Sequence, residues 1–144
     1  MLDLIADSRV VSTSSTGRSS ERPDQRWPRL TAATLHLPAP VAVIDADALR
    51  YNALDLLVRA AAVPIRIATK SVRVREVLDA VLAMPGYQGI LAFTLAEALW
   101  LAEDHDDIVM GYPTADRPAI AALVSDERAA ARITLMVDDE AQLD

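Results

Sequence analysis

The sequence predicts an α/β fold in which parallel strands alternate with helices, and two observations carry this prediction. The first is a set of five short apolar runs, most of them rich in β-branched residues, at residues 41–44, 65–68, 90–93, 108–110 and 133–137 of the 144-residue chain. The second is their spacing. Their starts lie 24, 25, 18 and 25 residues apart, which leaves room for one crossover helix each time. Repeated βα units around a parallel sheet follow.

The runs are continuously apolar, which is typical of strands covered on both faces, as in a doubly wound sheet or a closed (β/α)8 barrel. A complete barrel needs about 250 residues, and five units fill this chain. The sequence therefore predicts about the first half of a TIM-type barrel. Such a half barrel leaves two sheet edges unpaired, so we expect self-association through these edges or a truncated gene product.

Each segment between the runs carries a helical pattern. The first helix lies behind Asp45 and Asp47, either of which can cap its amino end. The second lies between a possible cap at Ser71 and the stop signal at residues 85–86. Apolar positions recur at helical spacing in both segments. In the first they are Leu49, Ala53, Leu56, Leu57 and Ala60, and in the second Val74, Val77, Leu78 and Val81.

The third helix opens with Thr94 and Glu97, which form a capping box in which each side chain satisfies a backbone donor. Asp116 and Pro118 are typical of the first turn of a fourth helix.

Residues 1–30 precede this regular pattern, and we predict a disordered or loosely held arm, because residues 12–20 are polar and turn-rich. The arm has neither the basic start nor the apolar centre of a secretory signal, and no later run is long enough for a membrane span. The chain contains no cysteine, which excludes disulfides and thiolate metal sites. A cytoplasmic location is the default expectation.

The composition indicates which kind of ligand the protein binds. The chain is 52% hydrophobic and has a formal net charge of −7. An acidic protein of this kind lacks the basic face that nucleic acids and anionic membranes require, so a small-molecule ligand is expected.

Parallel strands bring their carboxyl ends to one edge of a sheet, and five polar residues are expected there: Asp45, Lys70, Thr94, Tyr112 and Asp138. Simple helix capping explains Asp45, Thr94 and Asp138. It explains neither Lys70 nor Tyr112.

Lys70 closes the second run, at the place where barrel enzymes keep their catalytic groups, and lysine is the residue that forms Schiff bases with carbonyl cofactors. Arg66 and Ala68 share its strand face by period two, and Arg73 follows, so like charge and partial burial favour the neutral amine. The alternative is a lysine that merely extends into solvent. Tyr112 is either a hydroxyl donor to a ligand or an ordinary half-buried tyrosine.

No metal site is predicted. His105 lies in the acidic loop 103–107, but a solvated run of charges explains this loop better than a cation site does. The four glycines form no phosphate-binding loop of the Walker or dinucleotide type.

Four motifs resemble those of a known family. Residues 40–49 (PVAVIDADAL) resemble the opening of the alanine racemase N-terminal barrel, and residues 65–71 (IRIATKS) resemble the segment that carries its cofactor lysine. Residues 92–98 (AFTLAEA) and 111–116 (GYPTAD) are most similar to the D-threonine aldolase branch, which includes amino acid deaminase/aldolase proteins. The resemblance covers residues 38–144.

This resemblance implies a partial barrel that binds pyridoxal 5'-phosphate over residues 38–144, with Lys70 as the lysine that holds the cofactor. Arg66 and Tyr112, taken from the residue pattern, are the further candidates for cofactor binding. It further implies an amino acid lyase, either an aldolase that cleaves β-hydroxy amino acids or a deaminase. Two alternatives stay open. One is a half barrel without catalytic function, and the other is a pyridoxal phosphate homeostasis protein.

Overall fold

A computed structural model describes residues 22–143 and shows a mixed α/β architecture around one sheet. The sheet has four parallel strands in the order β1-β2-β3-β4, so neighbours in sequence are neighbours in space. The strands are β1 (Ile65–Ala68), β2 (Tyr87–Ala92), β3 (Ile108–Met110) and β4 (Ile133–Thr134). This confirms the predicted parallel βα repeat, although the described strands form an open sheet.

Helices occupy every connection between the strands. Two precede the sheet, two link β1 to β2, one links β2 to β3 and two link β3 to β4. They are α1 (Pro23–Thr34), α2 (Ala46–Ala60), α3 (Thr69–Val72), α4 (Arg75–Leu82), α5 (Leu95–Leu101), α6 (Arg117–Ser125) and α7 (Glu127–Arg132). A 3-10 turn, Glu140–Gln142, follows β4.

One face of the sheet is buried by a row of isoleucines. Ile67, Ile90, Ile108 and Ile133 are register partners on successive strands, and none is more than 8% exposed. They belong to one apolar core with buried residues of helices α2 and α4 to α7. The helices therefore cover this face, and the burial of these side chains supplies the main stabilisation of the domain.

The opposite face is partly open within residues 22–143. Its central row is Ala68, Leu91, Val109 and Thr134, again partners in register, and Leu91 is 36% exposed. Parallel sheets are normally covered on both faces. The described residues cover only one.

A bulge between β1 and β2 depends on Gly89. The register of the β1–β2 pairing changes between the pair Ile65–Tyr87 and the pair Ile67–Ile90. Gly89 lies at this change and has a φ of +71°. A Cβ at Gly89 would collide with the Arg66 guanidinium and lie 2.6 Å from the Asp107 carbonyl oxygen. Only glycine combines this left-handed backbone with such close packing.

The capping predictions are mostly confirmed. Asp45, Thr94 and Asp116 are the N-cap residues of α2, α5 and α6, and each side chain accepts a backbone N–H of the first turn. Ser71 is not a cap, which corrects the prediction. It lies inside α3, and α4 begins after Val74 without a side-chain cap.

Three predicted strands differ in the structure. The strand predicted at residues 90–93 is β2, which begins at Tyr87 and ends at Ala92. Residues 41–44 lie outside the sheet, and Val41, Val43 and Ile44 are almost half exposed. The last strand ends at Thr134 instead of residue 137. The physical reason is that β-branched composition favours a pleated, half-buried surface but does not supply a strand edge with which to pair.

The connection between β3 and β4 also departs from the prediction of a single helix, because Asp126 caps a second helix, α7, directly after α6. Most of the predicted N-terminal arm, residues 1–21, lies outside the described residues. The end of that segment belongs to helix α1. Among residues 22–143, no helix has both the length and the apolar character needed to cross a membrane.

Candidate functional site

The sequence predicts Lys70 at the end of the strand, and the structure places it two residues beyond the end of β1. β1 ends at Ala68, and the chain then enters the single-turn helix α3, in which Lys70 is the second residue. Its Nζ atom is 3.4 Å from the hydroxyl oxygen of Tyr112. The amine also lies 6.0 Å from the ring centre of Phe93 and 5.9 Å from that of Tyr112. The side chain is exposed to solvent at this edge of the sheet.

Two aromatic rings form the wall beside Lys70. Phe93 directly follows β2, and Tyr112 lies just after β3. Their rings meet edge to face, with centres 5.5 Å apart and planes at 87°. This is a favoured arrangement for aromatic pairs, but both side chains are at least 40% exposed. Exposed rings at strand ends are available for contact with a ligand.

A shallow pocket of about 70 Å³ lies between these side chains. Its remaining lining comes from Ala68, Leu91, Ala92 and Gly111. At Gly111 a Cβ would come within 3.0 Å of Leu91 Cδ1, so the absence of a side chain at this position leaves room for the pocket. Lys70 is the one ionisable amine of the lining, and the pocket opens on the uncovered face of the sheet. The site is therefore an apolar surface with a single amine at its edge.

Lys70 is also the only lysine in the chain, which otherwise carries its positive charge on arginine. Arginine stays protonated and does not act as a nucleophile, whereas lysine forms covalent bonds with carbonyl groups. The one side chain capable of this chemistry is thus the one held against the two rings.

The structure brings Lys70 and Tyr112 together but places Arg66 elsewhere, which corrects the predicted grouping. The Arg66 guanidinium donates to the Asp107 carbonyl oxygen at 2.6 Å and to its carboxylate at 2.8 Å. Asp107 precedes β3, so this ion pair lies at the amino end of β3, which β2 separates from β1. Because Lys70 has left the strand for a helical turn, period-two alternation no longer relates it to Arg66.

The other predicted rim residues have structural partners. Asp45 caps α2 and forms an ion pair of 2.7 Å with Arg29. The hydrogen bond from the Ala48 N–H, followed by that from Arg29, holds the pKa of Asp45 below its usual range. Thr94 caps α5. Asp138 is not a cap, which corrects the prediction. Asp139 caps the 3-10 turn instead, and Asp138 accepts a hydrogen bond from the Gln142 side chain.

The acidic loop between α5 and β3 is a site of ion pairs. Asp104 pairs with Arg75, Asp106 with Arg132 and Asp107 with Arg66, each within 2.8 Å. This loop lies at the amino end of β3, away from Lys70. Its charges hold neighbouring elements together.

Two functional candidates, Thr69 and Glu97, were missed as site residues by sequence reasoning. Thr69 precedes Lys70 and is only 1% exposed. Its hydroxyl lies 2.9 Å from Glu97 Oε2, and the same oxygen accepts the N–H of Phe93 at 2.9 Å. The capping-box pattern indicated Glu97, but its carboxylate binds Phe93 and Thr69 instead of the N-cap N–H. Sequence carried no signal for the contact with Thr69.

No family model, curated protein or solved structure matches this chain.

Proposed function

We propose that this domain binds pyridoxal 5'-phosphate covalently through Lys70 and acts on amino acids as a lyase, either an aldolase or a deaminase. The observation that carries the proposal is the position of the single lysine of the chain, at the carboxyl edge of a parallel sheet and against two exposed aromatic rings. That edge is where α/β proteins bind ligands. The resemblance of the lysine segment to the alanine racemase barrel supports the cofactor.

The residues that line the pocket fit the aldehyde and the aromatic ring of this cofactor. The Lys70 amine is the group that reacts with its aldehyde, and the Phe93 and Tyr112 rings offer an apolar wall for a flat aromatic ring. None of the residues that line the pocket is a second cation for the phosphate. We therefore expect the covalent bond and the ring contacts to contribute most of the affinity.

Tyr112 and Phe93 position the Lys70 amine. The Tyr112 hydroxyl, 3.4 Å from Nζ, can accept a hydrogen bond from the ammonium form or donate a hydrogen bond to the neutral amine. It therefore holds the lysine in place in both protonation states. The ring centres of Phe93 and Tyr112 lie 6.0 and 5.9 Å from the amine. When bound, pyridoxal phosphate serves as an electron sink for a carbanion at the amino acid α-carbon.

The fold gives the proposal its architectural context. We propose that the four strands belong to a (β/α)8 barrel, since their order is strictly sequential and helices cover only one face. The open row of Ala68, Leu91 and Val109 would then face the barrel interior, which apolar side chains normally fill.

The experiment is covalent trapping. The purified chain is incubated with pyridoxal phosphate, reduced with borohydride, digested and mapped by mass spectrometry. We expect the adduct on Lys70 in the wild type and its loss in Lys70→Ala, with unchanged circular dichroism. The α-amino group is the only competing amine, and acetylating it provides the control. A visible cofactor band that survives Lys70→Ala after dialysis would rule out the assignment.

Product analysis separates the possible activities. With a β-hydroxy amino acid, an aldolase releases glycine and an aldehyde, whereas a deaminase releases ammonia and a 2-oxo acid. Covalent binding without either product would favour the homeostasis alternative, in which the protein carries the cofactor without turnover.

A second candidate function rests on the uncovered sheet face. We propose that, if Lys70 is not reactive, the domain is a non-catalytic partner whose open sheet face is covered by another chain, including a second copy. Sedimentation tests this with Leu91→Glu on the open face and Val124→Glu on the outer surface of α6 as its matched control. Val124 is 77% exposed. We expect only Leu91→Glu to dissociate the complex, and a monomer at every concentration would contradict the candidate.

A further inference from the structure

We infer that Glu97 and Thr69 act together as positioning residues that hold Lys70 against Phe93 and Tyr112. Lys70 itself is exposed, and a long exposed lysine ordinarily samples many rotamers. Its position is therefore decided by the backbone that carries it, which is the single turn α3.

That turn is anchored through Thr69. The Thr69 carbonyl accepts the N–H of Arg73, which closes the turn, and its side chain is almost completely buried. The hydroxyl has one proton and two acceptors in range, the Leu91 carbonyl at 3.3 Å and Glu97 Oε2 at 2.9 Å. The shorter, charge-assisted bond is the stronger, so the hydroxyl donates to Glu97.

Glu97 connects this turn to the aromatic wall. The same oxygen, Oε2, accepts the N–H of Phe93 at 2.9 Å, and the Glu97 backbone N–H is bound by Thr94. One carboxylate oxygen therefore joins the residue before Lys70 to the residue that supplies one ring of the pocket. Loss of either hydrogen bond would release α3 from the β2–α5 loop and let the amine move away from the rings.

The experiment uses the single lysine of the full chain. Labelling with ¹³C,¹⁵N-lysine gives one lysine spin system, and its ε-methylene signal reports the ring currents of Phe93 and Tyr112. We expect Thr69→Val and Glu97→Ala to move this signal towards its value in an unfolded peptide. Thr69→Ser keeps the hydroxyl and Glu97→Gln keeps an acceptor oxygen, so we expect both to retain the wild-type signal. Circular dichroism verifies that each variant is folded.

A second measurement links this position to cofactor binding, and this link rests on the proposed function. The Kd of the covalent pyridoxal phosphate adduct is expected to rise about tenfold in Thr69→Val and Glu97→Ala, as for loss of a hydrogen bond to a charged group. If the wild type forms no adduct, the proposed function fails, while the lysine signal still decides the positioning inference.

The inference is overturned if Thr69→Val and Glu97→Ala lower thermal stability but leave the lysine signal in place, because the hydrogen bonds would then be merely structural. It is equally overturned if the conservative variants displace the signal as far as the truncating ones. Should Thr69→Val fail to fold, the Glu97→Ala and Glu97→Gln pair decides alone.

Discussion

The chemistry of single side chains depends on which end of the sheet they reach. Lys70 follows β1 and Tyr112 follows β3, the strands on either side of β2, and their polar atoms lie 3.4 Å apart. Arg66 is only four positions from Lys70, yet its guanidinium is bound to Asp107 before β3. Strand alternation predicts the face on which a side chain lies, but the direction of a long side chain along the strand depends on its partners.

Arg66→Ala is expected to leave the covalent adduct of Lys70 unchanged. The variant loses a half-exposed ion pair and two hydrogen bonds to carbonyl oxygens, so we expect the free energy of unfolding to fall by about 1 kcal/mol. Urea denaturation and the trapping experiment measure the two effects separately. A weakened adduct in a stable Arg66→Ala protein would restore the predicted cofactor role.

At the level of helices and strands, the sequence predicts a helix cap correctly when the N–H group that the cap binds lies within one turn. Asp45, Thr94 and Asp116 cap the helices that they were predicted to begin, because the N–H groups they bind belong to the next three residues. Ser71 has the same chemistry but lies inside α3. The extra turn forms beside buried Thr69, whose hydroxyl partner is 28 residues away.

Asp45 gives a stability prediction that depends on pH. Its pKa is lowered from 3.8, so its contribution is present above about pH 4 and is lost as pH falls through the folded-state value. Asp45→Ala is expected to lower the free energy of unfolding by about 1 kcal/mol at pH 7.

Asp45→Asn is the matched control, since asparagine caps helices as well as aspartate but does not titrate. We expect it to be more stable than Asp45→Ala but less stable than wild type at pH 7, because it keeps the cap and lacks the charge that pairs with Arg29, and we expect it to lose less stability on acidification. Thermal denaturation between pH 3 and 7 measures this. If wild type and Asp45→Asn lose the same stability between pH 7 and pH 3, the pKa shift is not that of Asp45.

For the domain as a whole, the governing feature is a sheet with one covered face. Ile108 and Val109 are adjacent on β3, but Ile108 is fully buried and Val109 belongs to the partly open row. Substitutions at these two positions therefore compare the burial of the two sheet faces on the same strand.

Ile108→Ala is expected to lower the free energy of unfolding by about 2 to 5 kcal/mol, through loss of transfer energy and formation of a cavity. Val109→Ala is expected to lower it by less than about 1.5 kcal/mol if its face stays open. Chemical denaturation over a range of protein concentrations measures both. A large, concentration-dependent effect of Val109→Ala would show that another chain covers this face.

The order of the strands, the helices between them and three of the caps were readable from sequence, because each depends on spacing or on contacts within a few residues. The position of Lys70 at the edge of the sheet was predictable for the same reason. The failure of residues 41–44 to join the sheet, the pairing of Arg66 with Asp107 and the contact of Thr69 with Glu97 were decided by three-dimensional packing. Such contacts join residues far apart in the chain, and no local pattern specifies them.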